Sequence, residues 1–502
     1  MGSAPSERTA ALPRDAGGAI GGATLRAPAN VGAATRLGEV ATPSRLPRAT
    51  RLIDRVSREH LLLGSLVAFS WGSMVFYGSL DTAALLDIMA ALALAGLALR
   101  VPPARGCAGG IWWAGAAAIS AAGTLRYVGL FTGGQVAWLA LAIVAASVVV
   151  ALTKRRVVVI AGTAAGAGAL LVMAITGWQW GRVGIDVFRL LQTATSALLH
   201  GQNPYTPTAM ALAQTAPGVF VSRPIHFCYF PGAILLAAPG RVFGDVRIMS
   251  VFAFVALMAF TVRVAATNRQ ALRSYRVLAL CLAAPTTIAM VYNAWLDVYA
   301  LAGLAGWLAL RQSRLPLSIG CLVVALTVKP TLIPALLPFW LWSRRTRTDT
   351  LIALGITALV FLPFVVMTGI GGLYHDVVGL YGQIGFRYDG LTLSAWWYQR
   401  TGSIIPVAFS VVAGGIVAYL ALRLRPTDLS TPLIAGACIT TAAFLLSKQA
   451  FLNYYFIPTW LVILALAARG VPFAPPSDVR LPRPLDALVP RAIARRLPSA
   501  VG

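Results

Sequence analysis

Residues 132–177 read TGGQVAWLALAIVAASVVVALTKRRVVVIAGTAAGAGALLVMAITG. Two apolar runs of about 20 residues, long enough at ~1.5 Å per residue to cross a hydrocarbon core of ~30 Å, are parted by Lys154, Arg155 and Arg156. Strands of a membrane barrel would alternate in polarity, and these runs do not. The stretch reads as two membrane-crossing helices joined by a cationic turn, and the same pattern recurs along the chain. Further runs lie near 60–79, 83–99, 109–124, 246–264, 277–292, 296–310, 315–328, 330–342, 350–368, 403–422, 431–447 and 454–468. The expectation is an all-α polytopic membrane protein of about 14 transmembrane helices, in which 315–328 and 330–342 are short enough to form one broken hairpin. The apolar segment 227–243 is interrupted by Pro231, Pro239 and Arg241 and is expected to be a re-entrant or surface helix at the outer interface.

Composition agrees. The 502 residues are 58% hydrophobic and 11% charged, and a mean hydropathy of +0.76 leaves too little polar surface for a globule in water. The formal charge of +25, from 41 Lys+Arg against 16 Asp+Glu, would suggest nucleic acid in a polar chain. Here it has a topological reading. The two ends of the chain and the turns at 100–105, 154–156, 263–276, 311–314, 344–347 and 423–425 hold 31 of the basic residues and, with Glu59, Asp349 and Asp428 beside them, 9 of the acids, a net of +22. The positive-inside rule places these turns and both termini in the cytoplasm, at the plasma membrane, against anionic membrane lipids and with no nucleic acid.

The expected organisation follows: a disordered basic tail over 1–58, a four-helix membrane module over 59–156, a catalytic membrane domain over 157–468, and a second disordered basic tail over 469–502. Cys107, Cys228, Cys281, Cys321 and Cys438 are widely spaced and mostly within apolar runs, so they read as packing residues rather than a disulfide or zinc framework.

The remaining ten bases and seven acids fall on the outer side. The longest outer segment, about 178 to 245, holds a helical stretch in which Val187, Leu190, Leu191, Ala194, Ala197 and Leu198 recur at three- and four-residue spacing, so that one face can lie on the membrane surface. Asp186 begins this stretch. It reads either as a plain helix cap or as a carboxylate at the lipid–water boundary, tuned as a general base. Asn293-Ala294-Trp295-Leu296-Asp297, Lys329-Pro330, a loop with His375, Asp376, Arg387, Asp389 and Arg400, and Ser447-Lys448-Gln449 share the same predicted face. Lys329 and Lys448 can instead snorkel to the interface, and Tyr454 and Tyr455 fit an aromatic belt. Together, cations and carboxylates on one face can hold a phosphate and activate a hydroxyl. Neither a P-loop, a dinucleotide fingerprint, a nucleophile elbow nor a zinc-protease motif occurs, and no D-x-D pair supports a metal-bound nucleotide-sugar donor.

Three motifs follow one another: Gly184-Ile185-Asp186-Val187-Phe188, Leu199-His200-Gly201-Gln202-Asn203-Pro204-Tyr205, and Phe227-Cys228-Tyr229-Phe230-Pro231-Gly232. With the acidic loop 293–297 and Thr327-Val328-Lys329-Pro330, they resemble the GT-C membrane glycosyltransferases, family 87 and the actinobacterial polyprenyl-phosphomannose-dependent mannosyltransferases in particular. The similarity covers roughly 157 to 468. It implies a GT-C-like bundle with interfacial helices on its outer face. The implied reaction moves a sugar, mannose first, from a polyprenyl-phosphate donor to a hydroxyl of a cell-envelope glycolipid or polysaccharide. In that reading Asp186 is the general base, and Lys329 is the first partner of the leaving phosphate, followed by Arg387, Lys448 and His226. Asp297 positions the acceptor, and Tyr205 and Tyr229 are the remaining substrate-binding candidates. No metal or other cofactor is implied. A lipid or polysaccharide transporter or flippase is the alternative, and it should show broken helices or ionisable groups near mid-bilayer.

Overall fold

The computed structural model describes residues 56–72, 80–103, 107–131, 137–176, 186–216, 219–267, 271–380, 386–424 and 426–473. Most of both tails, together with Gly184 and Ile185, lies outside the described residues. The apolar runs are helices: α1 (Arg58–Gly72), α2 (Thr82–Arg100), α3 (Gly110–Phe131), α4 (Ala137–Leu152) and α5 (Arg156–Thr176). After these come α6 (Asp186–Leu199), strands β1 (Thr208–Ala216) and β2 (Val219–His226), and α7 (Pro231–Val242). The rest of the bundle is α8 (Arg247–Ala266), α9 (Ala271–Ala283), α10 (Pro285–Tyr292), α11 (Asp297–Leu310), α12 (Leu315–Val328), α13 (Ile333–Trp342) and α14 (Arg344–Thr368). It closes with α15 (Leu393–Thr401), α16 (Val407–Leu422), α17 (Ser430–Leu445) and α18 (Phe456–Ala468).

Among the described residues four helices are long and apolar enough to cross a membrane, Thr82–Arg100, Arg156–Ala174, Arg247–Ala266 and Arg344–Thr368. Two bent pairs raise the number to six, and five shorter apolar helices accompany them. This is a mostly helical membrane protein. Among the described residues the one departure from all-α is the β1–β2 hairpin, antiparallel with Thr208 opposite His226 and a register irregularity between Gln214 and Ala216.

Both bends have local causes. The α9–α10 pair turns by 52° where Pro285 interrupts the hydrogen-bond ladder. The carbonyls set free there are met by hydroxyls, since Thr287 donates to Cys281 (2.5 Å) and Thr124 of α3 to Ala283 (2.7 Å). The α12–α13 pair turns by 115°, with Lys329 in extended backbone and Pro330 opening a short 3-10 turn. The two runs expected as a broken hairpin are thus one broken element, and Lys329 stands at its corner.

Gly232, at the start of α7, lets that helix press on the corner. A β-carbon there would fall 2.7 Å from the Thr327 carbonyl oxygen. Gly232→Ala is expected to cost about 1–3 kcal/mol through overpacking against backbone that cannot move aside, read as a lowered unfolding temperature of the purified protein.

One end of the bundle is closed by buried ion pairs. Glu59 meets Arg273 at 2.6 Å and Arg469 at 2.5 Å and accepts the Ala108 N–H at 2.7 Å. Arg58 pairs with Asp428 at 3.2 Å and donates to the Val101 carbonyl at 2.8 Å. Residues 56–58 and 469–473, which the sequence assigns to tails, are described here as part of the bundle: Arg58 and Arg469 are buried, and the Gly470 N–H donates to Asp428 at 2.7 Å. Nearby, Arg311 pairs with Asp349 at 3.3 Å, beyond the last turn of α11. Asp297 opens the same helix, about 20 Å away at ~1.5 Å per residue. The cationic turns and the candidate site therefore lie at opposite ends of α11.

Candidate active site

The site begins with α6. Of the face expected from the spacing, Val187, Leu190, Leu191, Ala194 and Ala197 are buried and Leu198 is half-buried. Gly201 adopts φ +72° just past the helix, the Gln202 N–H donates to the Ala197 carbonyl at 2.9 Å and the Gly201 N–H to the Leu198 carbonyl at 3.0 Å. This is the two-bond glycine stop of a helix C-terminus. Asn203 then accepts from the Tyr205 N–H (3.0 Å) and from the Thr368 hydroxyl at the end of α14 (3.2 Å). The Tyr205 hydroxyl donates to the Tyr229 carbonyl at 2.9 Å, and its ring meets Phe227 edge-on. The motif Gly201 to Tyr205 is thus a latch between α6, α14 and the segment that enters α7. Tyr205→Phe would leave the Tyr229 carbonyl without this donor in a buried place, with an expected loss of about 1 kcal/mol, measurable by thermal unfolding.

At the other end of α6, Oδ1 of Asp186 accepts the Val187 N–H at 2.8 Å. The carboxyl keeps part of its surface accessible, but desolvation raises its pKa, opposed by that N–H and by the Arg387 charge. Cys228 lies within electrostatic reach of both Asp186 and Lys329, and burial pushes its thiol up to about 12, so it stays protonated at neutral pH. Tyr454 lies within reach of Asp186, Asp297 and Arg387. Its ring also receives the Lys329 ammonium at 4.9 Å from the centroid.

Asp186, Asp297, Lys329 and Arg387, named from four separated stretches of sequence, therefore gather around Cys228 and Tyr454. Lys329 Nζ contacts both oxygens of Asp297, at 3.1 and 3.2 Å, and both side chains are buried. The turn that delivers Asp297 is strained: Ala294 is buried at φ +52°, a conformation few residues with a β-carbon adopt. Arg387 holds Asp389 through two parallel bonds of 2.8 and 2.7 Å and lies over the Phe451 ring. Its loop is stitched to the chain before α18 by Leu391 N–H to the Ala450 carbonyl (2.7 Å) and Tyr455 hydroxyl to the Leu391 carbonyl (2.6 Å).

Arg247 was counted among the outer charges but not singled out. It is fully buried, paired with Asp245, and its guanidinium lies 4.6 Å from the ring centre of Phe188, two residues from Asp186. The spacing Asp245-x-Arg247 at the start of α8 was its only signal. Gln192 of α6 ties in the same turn, donating to the Gly244 carbonyl and accepting the Val246 N–H. Two other candidates are exposed. His226 is exposed at the end of β2, its Nδ1 3.2 Å from the Thr206 carbonyl oxygen, and Lys448 is exposed on the turn after α17.

Lys329, Arg387 and Arg247 each face a carboxylate, whereas Asp186 forms no ion pair among the described residues. The pairing still leaves Lys329 a donor for an anion, since two of its three N–H bonds suffice for Asp297. An apolar hollow of ≈ 270 Å³ opens between α7, α8, α11 and α12, with Leu236, Met249, Phe252 and Tyr299 among its walls. Tyr299 is two residues from Asp297. Among the described residues no group of His, Cys, Asp and Glu is arranged to hold a metal ion. No family model matches this chain, and no curated protein and no solved structure matches it.

Proposed function

We propose that this chain is a membrane glycosyltransferase with a GT-C-like bundle of about 14 crossings. It moves a sugar, mannose first, from a polyprenyl-phosphate donor to a hydroxyl of a cell-envelope glycolipid or polysaccharide at the outer face of the plasma membrane. Both termini are cytoplasmic. The observation that carries this reading is the gathering of Asp186 with Lys329, Asp297 and Arg387. Among the described residues Asp186 is the carboxylate of that group without an ion-pair partner, and its surroundings raise its affinity for a proton.

The chemistry follows from these features. An alcohol is a weak nucleophile and must lose its proton as the bond to the anomeric carbon forms, and Asp186 is the acceptor of that proton. The phosphate departs with its negative charge, which the third N–H of Lys329 and the positive charge of Arg387 stabilise. Asp297 holds Lys329 in place, so its part is to orient the cation rather than to grip the acceptor directly. Tyr205 supports α6 from below. The apolar hollow suits part of a polyprenyl chain, with its reactive end beside α11.

The test supplies membranes containing the protein with labelled polyprenyl-phosphomannose and an endogenous glycolipid acceptor. The parent should transfer label, and Asp186→Asn, inserted to the same level, should not. Equal rates would remove Asp186 from the mechanism. The competing reading, a lipid or polysaccharide transporter, draws on the broken pairs at Pro285 and Lys329, since interrupted helices build many transport sites. Movement of the lipid across the bilayer without any transfer would favour it.

A further inference from the structure

We propose that a second apolar groove, between α1 and α3, holds one phospholipid with an anionic headgroup. The groove has a volume of ≈ 530 Å³ and lies outside the Asp186 site. Its walls are Leu63 and Val67 from α1 and Ile111, Gly115 and Ile119 from α3, with His60 and Trp112 meeting edge-on at 5.1 Å toward one end. Residues 111 to 119 span about 12 Å of helix, enough for the upper part of an acyl chain. Ile111 and Trp112 are 81% and 58% exposed, so the groove is open along its side.

Its occupant is indicated by the chemistry at the mouth. The Arg276 guanidinium lies against Gly110, where a β-carbon would be 2.9 Å from Nη2. Arg58, Arg273 and Arg469 at this end of the bundle are each satisfied by a buried carboxylate, whereas Arg276 is partly exposed and makes no ion pair among the described residues. Gly110 opens the 22-residue α3, whose positive end adds to the same field. His60 supplies a second donor. Its Nδ1 accepts the Ser57 N–H at 3.2 Å, which puts the ring proton on Nε2, where it can meet an ester carbonyl.

A chain that is apolar along about 12 Å and ends in an anion beside an ester has the form of a phospholipid. The two terminal segments of the protein are poor rivals for the groove. Residues 1–55 carry eight arginines against four acids, and 474–502 five against two, so both would meet Arg276 with like charge.

The experiment uses the full chain in detergent, with lipid binding followed by native mass spectrometry and thermal unfolding. Dioleoyl phosphatidylglycerol should bind the parent saturably at one copy and raise its unfolding temperature. Dioleoyl phosphatidylcholine should bind about fivefold more weakly, the contribution of one basic residue beside a charged headgroup. Arg276→Gln should erase that preference. Gly115→Leu should abolish binding of both lipids. A β-carbon at Gly115 has open space around it, and leucine is a better helix former than glycine, so this variant should fold. Equal affinity of the parent for the two lipids, a preference that survives Arg276→Gln, or parental binding by Gly115→Leu would each overturn the proposal.

Discussion

Asp186→Asn should lower sugar transfer by about 10²–10⁴-fold, the ordinary contribution of a positioned general base, while leaving the protein at least as stable at neutral pH as the parent. The second half of this expectation separates catalysis from capping. Desolvation is the leading influence on Asp186 and raises its pKa in the fold, whereas the unfolded chain returns it to about 3.9. Above the folded value the ionised carboxylate is held where it is disfavoured, so its charge costs stability. Below about pH 4 it is neutral in both states, and the cost vanishes. Thermal unfolding at pH 7 should therefore show Asp186→Asn equal to or above the parent, with no gain at pH 3.5.

Activity runs the other way. The base acts when ionised, so transfer should rise with pH through the raised folded pKa, and the acidic limb should sit above the ordinary carboxylate range. A residue whose only part was to cap α6 would give the reverse pattern: asparagine would lose about 0.3–1 kcal/mol of charge–dipole stabilisation and leave the rate near that of the parent.

The largest effect on stability is expected from Glu59→Gln. The carboxylate is buried and faces both Arg273 and Arg469. Glutamine keeps the volume and can still accept the Ala108 N–H, but it leaves two buried guanidinium groups without a counter-charge. Breaking a buried pair from one side costs about 3–5 kcal/mol, and here one change breaks two. The measurement is thermal unfolding beside Arg155→Gln, at an exposed turn position, which should move by no more than about 0.5 kcal/mol. Indistinguishable unfolding of the two variants would mean that water or the neighbouring Asp428 already neutralises the cluster.

The helices were readable because apolar runs and cationic turns are both imposed by the bilayer, and Lys154 to Arg156 between α4 and α5 carries that logic in three residues. The same logic counted about 14 crossings, whereas four helices among the described residues, or six with both bent pairs, are long and apolar enough to cross. Shortness marked 315–328 and 330–342 as one broken hairpin, but it did not reveal the extended backbone of Lys329 at the 115° corner. The β1–β2 hairpin was missed because Ala209, Ala211 and Ala213 alternate with Met210, Leu212 and Gln214, of which only the last is polar, so the period of two is faint.

At the site, ionisable residues in short outer loops were conspicuous, and Asp186, Asp297, Lys329 and Arg387 do come together. Their partners were not legible. Asp297 and Lys329 are 32 positions apart, and only the folded chain makes them an ion pair. Cys228 reads as packing and Tyr454 as an interfacial aromatic. Both descriptions fit what they are, and neither reveals that they stand among the charges.

The cluster around Glu59 also sets an order of events during synthesis. Arg273 emerges about 210 residues after Glu59, and Arg469 about 400 residues after it. At roughly 5–20 residues per second, the first helix waits on the order of 20–80 s for its last counter-charge. Through that interval α1 carries an acidic residue only partly neutralised, and a chaperone has the opportunity to hold it. The chain's closing residues thus act as a seal, completing a contact that its opening helix leaves unfinished for most of translation.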